Sequence, residues 1–524
     1  MTRRLALTIF VAFTSGYVSL SYEILWYRTF AYVTWSTSAI FPFLLAAFLL
    51  GIAMGSRRAK ALVKPEGDRS LYLARLAWLL LAANAVSFFV VPLLGFAAKV
   101  DWRPVLVLVV VGAGLMGAVL RVLAQFGIDP DTRAGWNLSL VYIGNIAGSA
   151  LGSLLTGFVV MDAFPTRTIA IGLAVLGFLA ALGVAVLTPG DPGKRVRLRL
   201  APMAAIGIAL AIALQGVLFG TLYERLLCKR AYAGEKFKYV VENRHGVIAV
   251  GHDDTIYGGG AYDGAFNVNL AGNPNNVHRT YAIEALRSRD PSAPAQREML
   301  MIGLSSGSWA RIIADLPSTK SLRIIEINPG YLELIRKYPS VASILDDPKV
   351  TIEIDDGRRW LLRHPDAKFD FIVMNASFSW RAHMTNLLSV EFLELVRAHL
   401  RPWGIHYFNT TWSLDVMRTA VATFPQSMRV MNFAAVSDAP FVFEPDAWER
   451  LLASRLDLDH DRAMLDELLA FGRSAYAPEP ALRNRLETGE SLRGRLLPGP
   501  VVTDDNMLPE VSETFVLPDS VTEH

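Results

Sequence analysis

The chain has 524 residues, 52% of them hydrophobic, and its mean hydropathy is +0.33. That is too apolar for an ordinary soluble protein and long enough for more than one domain. Lys and Arg number 51 against 48 Asp and Glu, so no charge excess points to nucleic acid, and the single cysteine, Cys228, excludes an intrachain disulfide and any cysteine-built metal cluster.

The average hides a division. Before about Tyr223 the sequence is mostly long apolar runs; after it, charge is spread throughout and no run approaches the roughly 20 residues needed to cross a bilayer. Seven stretches are long enough to span: Leu5–Val33, Ser38–Gly55, Leu71–Ala97, Pro104–Leu123, Leu138–Met161, Ile169–Leu187 and Leu200–Leu222. The first is not a signal peptide, because it is too long, lacks a small-residue cleavage site and holds Glu23 and Arg28. The domain expectation is therefore a multi-span α-helical membrane domain over 1–223, a linker and small β-subdomain over 224–290, and an α/β domain over 291–524.

Basic residues near span ends tend to stay cytoplasmic. Thirteen of them, Arg3, Arg4, Arg57, Arg58, Lys60, Lys64, Arg69, Arg121, Arg133, Lys194, Arg195, Arg197 and Arg199, fall on one side, and three, Lys99, Arg103 and Arg167, on the other. The N-terminus is thus expected in the cytoplasm of a multi-pass cell-membrane protein. Seven spans would put everything after Tyr223 outside, and a span count changed by one would reverse that. Within the spans, Gly144, Gly148 and Gly152 recur on one helix face, as do Gly51 and Gly55, a spacing that lets helix backbones approach closely. Glu23 and Arg28 are ionisable groups at membrane depth, either functional or snorkelling to an interface.

From Lys236 to about Tyr262 the pattern alternates, as in short antiparallel strands. An alternating series follows, with strands at Met299–Ile302, Leu322–Ile327, Val350–Ile354, Phe371–Met374 and Ile405–Asn409. Helical patterns separate them at Ser308–Ala314, Gly330–Arg336, Arg358–Leu362 and Glu391–Leu400. Short apolar strands alternating with helices imply a mostly parallel, doubly wound, Rossmann-like sheet, whose ligands bind beyond the carboxyl ends of its strands.

Three features fall on successive strand ends. Gly303 and Gly307 bracket the loop of I-G-L-S-S-G-S, where a missing Cβ lets backbone approach a ligand. Glu326 ends the second strand, where a carboxylate can accept both ribose hydroxyls. Asp355, Asp356 and Gly357 end the third, where an acid can meet an adenine amine. Together they point to a nucleoside site. Trp309 and Trp380 are expected to pack, His252-Asp253-Asp254 to form a solvated turn with no metal, and Asp504-Asp505 to order the C-terminal segment.

The runs Y-D-G-A-F-N (Tyr262–Asn267), I-G-L-S-S-G-S, I-I-E-I-N-P, I-D-D-G-R-R-W-L and N-A-S-F-S-W-R-A-H-M-T-N-L-L-S-V-E-F (Asn375–Phe392) together resemble the spermidine synthase (polyamine aminopropyltransferase) family over about Tyr239 to Thr411. The whole chain resembles the bacterial membrane-fused branch of that family, and T-D-D-N-M-L-P-E (Thr503–Glu510) resembles that branch's closing motif. The resemblance implies a transferase taking decarboxylated S-adenosylmethionine and an amine; the loop and acids suit intact S-adenosylmethionine as well. Carried over by position, Asn267 stands at a donor-binding glutamine, Glu326 at the ribose acid, Asp356 with Gly357 at the adenine contact, and His278 or Tyr281 near a donor-lining tyrosine-histidine pair.

The departures lie at the reacting end. Ser306 takes the place of the loop acid, Asn375 that of the catalytic aspartate and Phe378 that of a second acid. An asparagine takes no proton from an ammonium at neutral pH, so Asp263 or His383 is left as a replacement base. The open alternatives are an active membrane-anchored transferase, a catalytically degenerate nucleoside- or amine-binding or partner-docking module, and a transporter-like protein with a regulatory sheet domain. Expected partners are the lipid bilayer, a nucleoside donor and an amine, with a homodimer or membrane partner protein left open. Donor supply favours a cytoplasmic sheet domain, against the charge count.

Overall fold

The computed structural model describes residues 2–62, 69–271, 273, 275–375, 378–456, 463–467 and 486–512. Lys64 of the charge count and Ala376 and Ser377 of the Asn375–Phe392 run lie outside them. The chain forms two compact units that divide after Val247, inside a strand.

Among its described residues the first unit holds seven helices long and apolar enough to cross a membrane. Six follow the apolar runs read from sequence: Arg3–Val33, Ile40–Arg58, Arg69–Ala97, Val105–Gly127, Ala134–Leu155 and Thr166–Leu187. The seventh is shifted. It runs from Gly190 to Ala213 and stops at Leu214, with short helices Gln215–Phe219 and Leu222–Cys228 after it. The basic stretch Lys194–Arg199 lowers hydropathy but does not oppose helix, so the helix begins before the apolar window does.

The glycine faces pack helices together. A Cβ at Gly144, Gly148 or Gly152 would meet Ile9, Phe13 or Tyr17, four residues apart on the first helix, and at Gly148 it would lie 1.9 Å from the Phe13 carbonyl oxygen. Gly51 and Gly55 approach Val110 and Gly114 in the same way. Arg28 is buried and pairs with Glu242 at 3.6 Å, and its guanidinium also donates to the Asn243 carbonyl. Glu242 further accepts from the Thr166 amide and the Tyr223 hydroxyl, both at 2.8 Å. This cluster explains why the unit extends past the composition change at Tyr223: strand β1 (Tyr239–Asn243) carries Glu242 and stays with the helices. Glu23 is half-buried and makes no hydrogen bond or ion pair among the described residues.

The second unit begins within β2 (Gly246–Val250). That strand pairs antiparallel with β3 (Thr255–Gly258), and β3 with β4 (Ala261–Ala265). The main sheet follows. Its parallel part is β6 (Arg297–Ile302), β7 (Thr319–Glu326), β8 (Val350–Ile354), β9 (Phe369–Met374) and β10 (Leu400–Asn409), after the short β5 (Leu286–Ser288). Antiparallel strands β11 (Gln426–Val430), β12 (Phe433–Ser437) and β14 (Leu486–Thr488) complete it, in the order β14-β11-β12-β10-β9-β6-β7-β8, while β13 (Phe441–Phe443) pairs with β5.

The chain moves outward from β6 to β7 and β8, then returns to place β9 and β10 on the other side. The switch point, where such sheets hold ligands, therefore lies between β6 and β9. β9, F-D-F-I-V-M, is buried at every residue, as a central parallel strand covered on both faces must be. Phe392, Leu393 and Val396 of helix Val390–His399 pack against Leu300, Ile302 and Ile372 of the sheet. Each such fully buried side chain stabilises the unit by about 1.5–3 kcal/mol.

Candidate functional site

The loop after β6 turns sharply because three residues take left-handed backbone: Gly303 (φ +88°), Ser305 (φ +47°) and Gly307 (φ +76°). At Gly303 a Cβ would meet no atom of the described residues within 4 Å. Glu326, at the tip of β7, is 3% exposed and turns onto this loop. One carboxylate oxygen accepts from the amides of Leu304 (2.6 Å) and Ser305 (3.3 Å), the other from Asn328 (2.8 Å). Burial raises its pKa, those amide bonds oppose the rise, and the nearby Asp263 adds to it.

At the tip of β8, Asp356 caps helix Gly357–Arg363, with one oxygen accepting from the Arg359 amide at 2.8 Å. Gly357 lies beside Ile302, where a Cβ would come within 2.6 Å, so the β8 tip closes on the β6 tip. Asp355 is occupied differently. It accepts from Arg359 (2.7 Å) and its partner Asp356 amide (2.8 Å) and pairs with Arg363 (3.4 Å). Burial opposes its charge, but these donors outweigh burial and hold its carboxyl below the usual range.

The Y-D-G-A-F-N run lies directly on the glycine loop. A Cβ on Gly264 would sit 3.4 Å from both Ser305 Oγ and Ser306 Oγ, and Ser308 donates to the Ala265 carbonyl at 2.8 Å. This brings in Asp263, half-buried at β4. The Tyr331 hydroxyl donates to its carboxylate, and the Ser305 hydroxyl to its carbonyl. Burial raises the Asp263 pKa, and Arg381 and those hydroxyls oppose it. Arg381 donates to the Gly258 carbonyl at 2.9 Å. Asn267 is half-buried, its side-chain oxygen turned back on the Asn269 amide at 2.9 Å.

Asn375 ends β9 and accepts from Asn409 Nδ2 at 3.1 Å. Asn409 Oδ1 in turn accepts from Asn432 Nδ2 at 2.7 Å, and Asn432 Oδ1 from Arg279 Nη1 at 3.0 Å. Phe378 stacks on Trp380 at 5.2 Å, and Trp309 on Phe433 at 5.3 Å. His383 is exposed, in left-handed backbone, and its side chain makes no hydrogen bond among the described residues. Ser306 is 4% exposed and accepts from the Ser308 amide at 3.2 Å. Among the described residues no group of three His, Cys, Asp or Glu side chains could hold a metal.

Three participants were not legible beforehand: Tyr331, Arg381 and Arg279. Tyr331 follows the strand-end acid in E-I-N-P-G-Y, a signal that was available. Arg279 and Arg381 carry no local signal of a role in the sequence, and only the fold brings them to these partners.

The family model for the spermine/spermidine synthase domain matches residues 289–437, spanning β6 through β12 and the loops just described. The C-terminal half carries a spermidine synthase domain. The synthase domain is 26% identical over 140 residues to a polyamine aminopropyltransferase of Desulforudis audaxviator, covering 25% of this chain and 50% of that protein. It is 30% identical over 115 residues to spermidine synthase 1 of Pisum sativum (22% and 34% covered). Against the polyamine aminopropyltransferase of Streptococcus uberis it is 34% identical over 100 residues (19% and 34%). The chain thus spans half or less of the length of these relatives. The crystal structure of Thermotoga maritima spermidine synthase aligns with 18% identity and a TM-score of 0.31, over 39% of this chain and 75% of that one.

Proposed function

We propose that the synthase domain binds the adenosine part of an S-adenosylmethionine-type donor across the tips of β6, β7 and β8 and transfers a group from it to an amine. The observation that supports this best is that the Gly303 opening, the Glu326 carboxylate and the Asp356–Gly357 turn stand at neighbouring strand ends. Glu326 presents one oxygen with a single amide partner, which leaves it able to accept a ribose hydroxyl. Gly303 would take the ligand against backbone, and Asp356 the purine edge.

The chemistry would be a displacement. The amine nitrogen attacks the methylene beside the sulfonium, the carbon–sulfur bond breaks, and methylthioadenosine leaves with the electron pair. The attacking amine must first lose a proton. Asn375 offers no base, because its oxygen accepts from Asn409 and an amide is not protonated near neutrality. Asp263 is the better placed acid: burial lifts its pKa toward that of a working base, and Tyr331 holds it in place. The uncharged Ser306, Asn375 and Phe378 favour, as a second reading, a domain that binds the nucleoside without turning it over.

The seven apolar helices would anchor this domain in a bilayer, with the N-terminus on the cytoplasmic side set by the Lys and Arg distribution. Incubating the detergent-solubilised full chain with decarboxylated S-adenosylmethionine and diamines separates the two readings. Released methylthioadenosine supports the transferase. Tight nucleoside binding without release supports the binding module.

A further inference from the structure

Beside the turn between β11 and β12, which holds Asn432, the synthase domain keeps a cation with no acid within ion-pair distance among the described residues. Arg279, on helix His278–Ala285, donates to the carbonyls of Asn275 (2.8 Å) and Asn276 (3.1 Å) and to Asn432 Oδ1 (3.0 Å). Its guanidinium lies 5.4 Å from the Phe433 ring centre and 5.8 Å from that of Trp309. Among the described residues no carboxylate lies within 4.0 Å of it, and those three bonds leave two of its five N–H groups unassigned.

The groups that bond Arg279, and the series leading away from it, are neutral. Asn432, Asn409 and Asn375 run as a bonded amide series from the guanidinium to the tip of β9. On the loop side, Ser305 and Ser306 face Gly264, which also adjoins Asn275 Oδ1 at 3.3 Å. A half-buried cation without a counter-ion is costly unless something anionic completes it. A guanidinium with spare N–H groups suits a carboxylate, and neutral amides and hydroxyls offer no repulsion to one. A cationic amine tail, in contrast, would meet a like charge at Arg279.

We propose that this corner receives the α-carboxylate of an intact S-adenosylmethionine-type donor, with Arg279 as its anchor, and so prefers that donor over the decarboxylated one. The proposal rests on the nucleoside-binding reading above and adds the chemical class of the tail. Of the lining groups, Ser306 sets the preference from the loop side by staying uncharged.

Equilibrium dialysis of the full chain in detergent against S-adenosylhomocysteine, its decarboxylated analogue and methylthioadenosine tests it. S-Adenosylhomocysteine should bind at least about tenfold more tightly than the other two, as one charge-assisted pair implies. Arg279→Met should erase that advantage and leave methylthioadenosine affinity unchanged. Ser306→Asp, which keeps an acceptor for the Ser308 amide, should reverse the preference and serves if the Arg279 variant fails to fold. Binding of methylthioadenosine with no gain from the carboxylate, as would follow if the anion belonged to the acceptor, overturns this inference alone. Tighter binding of the decarboxylated analogue, or an equal loss for all ligands in Arg279→Met, also overturns it. No binding of any nucleoside removes the underlying reading and this proposal with it.

Discussion

The Glu326 carboxylate lies 2.6 Å from the Leu304 amide nitrogen, so the acid at the tip of β7 and the glycine loop at the tip of β6 form one bonded unit. Removing the carboxylate acts twice, stripping the proposed ribose acceptor and taking from the amides of Leu304, Ser305 and Asn328 the acceptor they share. At about 1–3 kcal/mol for each lost buried bond, Glu326→Ala should weaken nucleoside binding by about a hundredfold or more. Glu326→Gln, which retains one acceptor oxygen, should lose less. Titration calorimetry of both variants checks the order.

Asn375 stands at the tip of β9, away from the β7 and β8 ends, and its oxygen is held by Asn409. Asn375→Asp adds an acid at the proposed reacting end and touches none of the proposed nucleoside contacts. Methylthioadenosine affinity should stay within about twofold, while release of methylthioadenosine from the decarboxylated donor should change by about tenfold or more, the usual scale of a general base. Parallel binding and turnover assays make the comparison.

Asp504 of the C-terminal motif binds both Nη atoms of Arg358 (2.8 and 2.5 Å) and accepts from Ser389 at 2.6 Å. Arg358 follows the Asp356–Gly357 turn, and Ser389 caps helix Val390–His399, so the motif ties the tip of β8 to the loop after β9. Asp504→Ala should destabilise the domain by about 1–3 kcal/mol. The double change with Arg358→Ala should cost little more than either alone, read as a non-additive loss in thermal stability.

His406 is fully buried in β10, with Nδ1 on the Ile372 carbonyl at 3.0 Å and Nε2 without a partner. Burial pulls its pKa down to about 4. Below about pH 6.5 the unfolded chain binds a proton that the folded one refuses, so stability is lost as pH falls from about 6.5 toward 4, by about 3 kcal/mol. His406→Phe should flatten that slope in melts recorded across the range.

In the first unit, Gly148 admits no side chain, because a Cβ would overlap the Phe13 carbonyl. Gly157, nine residues on in the short π-helical segment Thr156–Val160, has no described atom within 4 Å of a Cβ. Gly148→Val should therefore disrupt packing against the first helix and reduce recovery of folded protein, whereas Gly157→Ala should not. Size-exclusion profiles of the two variants in detergent decide it.

Much of the parallel sheet was legible because its strands are short, apolar and evenly interrupted. Val350–Ile354 and Ser308–Ala314 have the bounds their patterns imply, β6, β9 and β10 differ only at the start, and β7 differs at both ends. The antiparallel edge was not legible. β11, β12 and β14 alternate weakly, and the pairing of β12 with β10, β11 with β12 and β14 with β11 is a long-range choice that no local period encodes. The strand-end acids stood out, since a carboxylate after an apolar run is conspicuous. The diversion of Asp355 into a pair with Arg359 and Arg363 was not, because helix Gly357–Arg363 had first to place those guanidinium groups beside it. Arg28 was conspicuous as a charge in a span, but its partner Glu242 lies 214 positions later in the chain and only folding joins them.

The most direct measurement is the heat of methylthioadenosine binding to the full chain, with the Glu326→Ala variant as its control. The account predicts saturable binding to the native protein and none to the variant at the same concentrations. Absence of binding to the native protein, or equal binding to both, would contradict it.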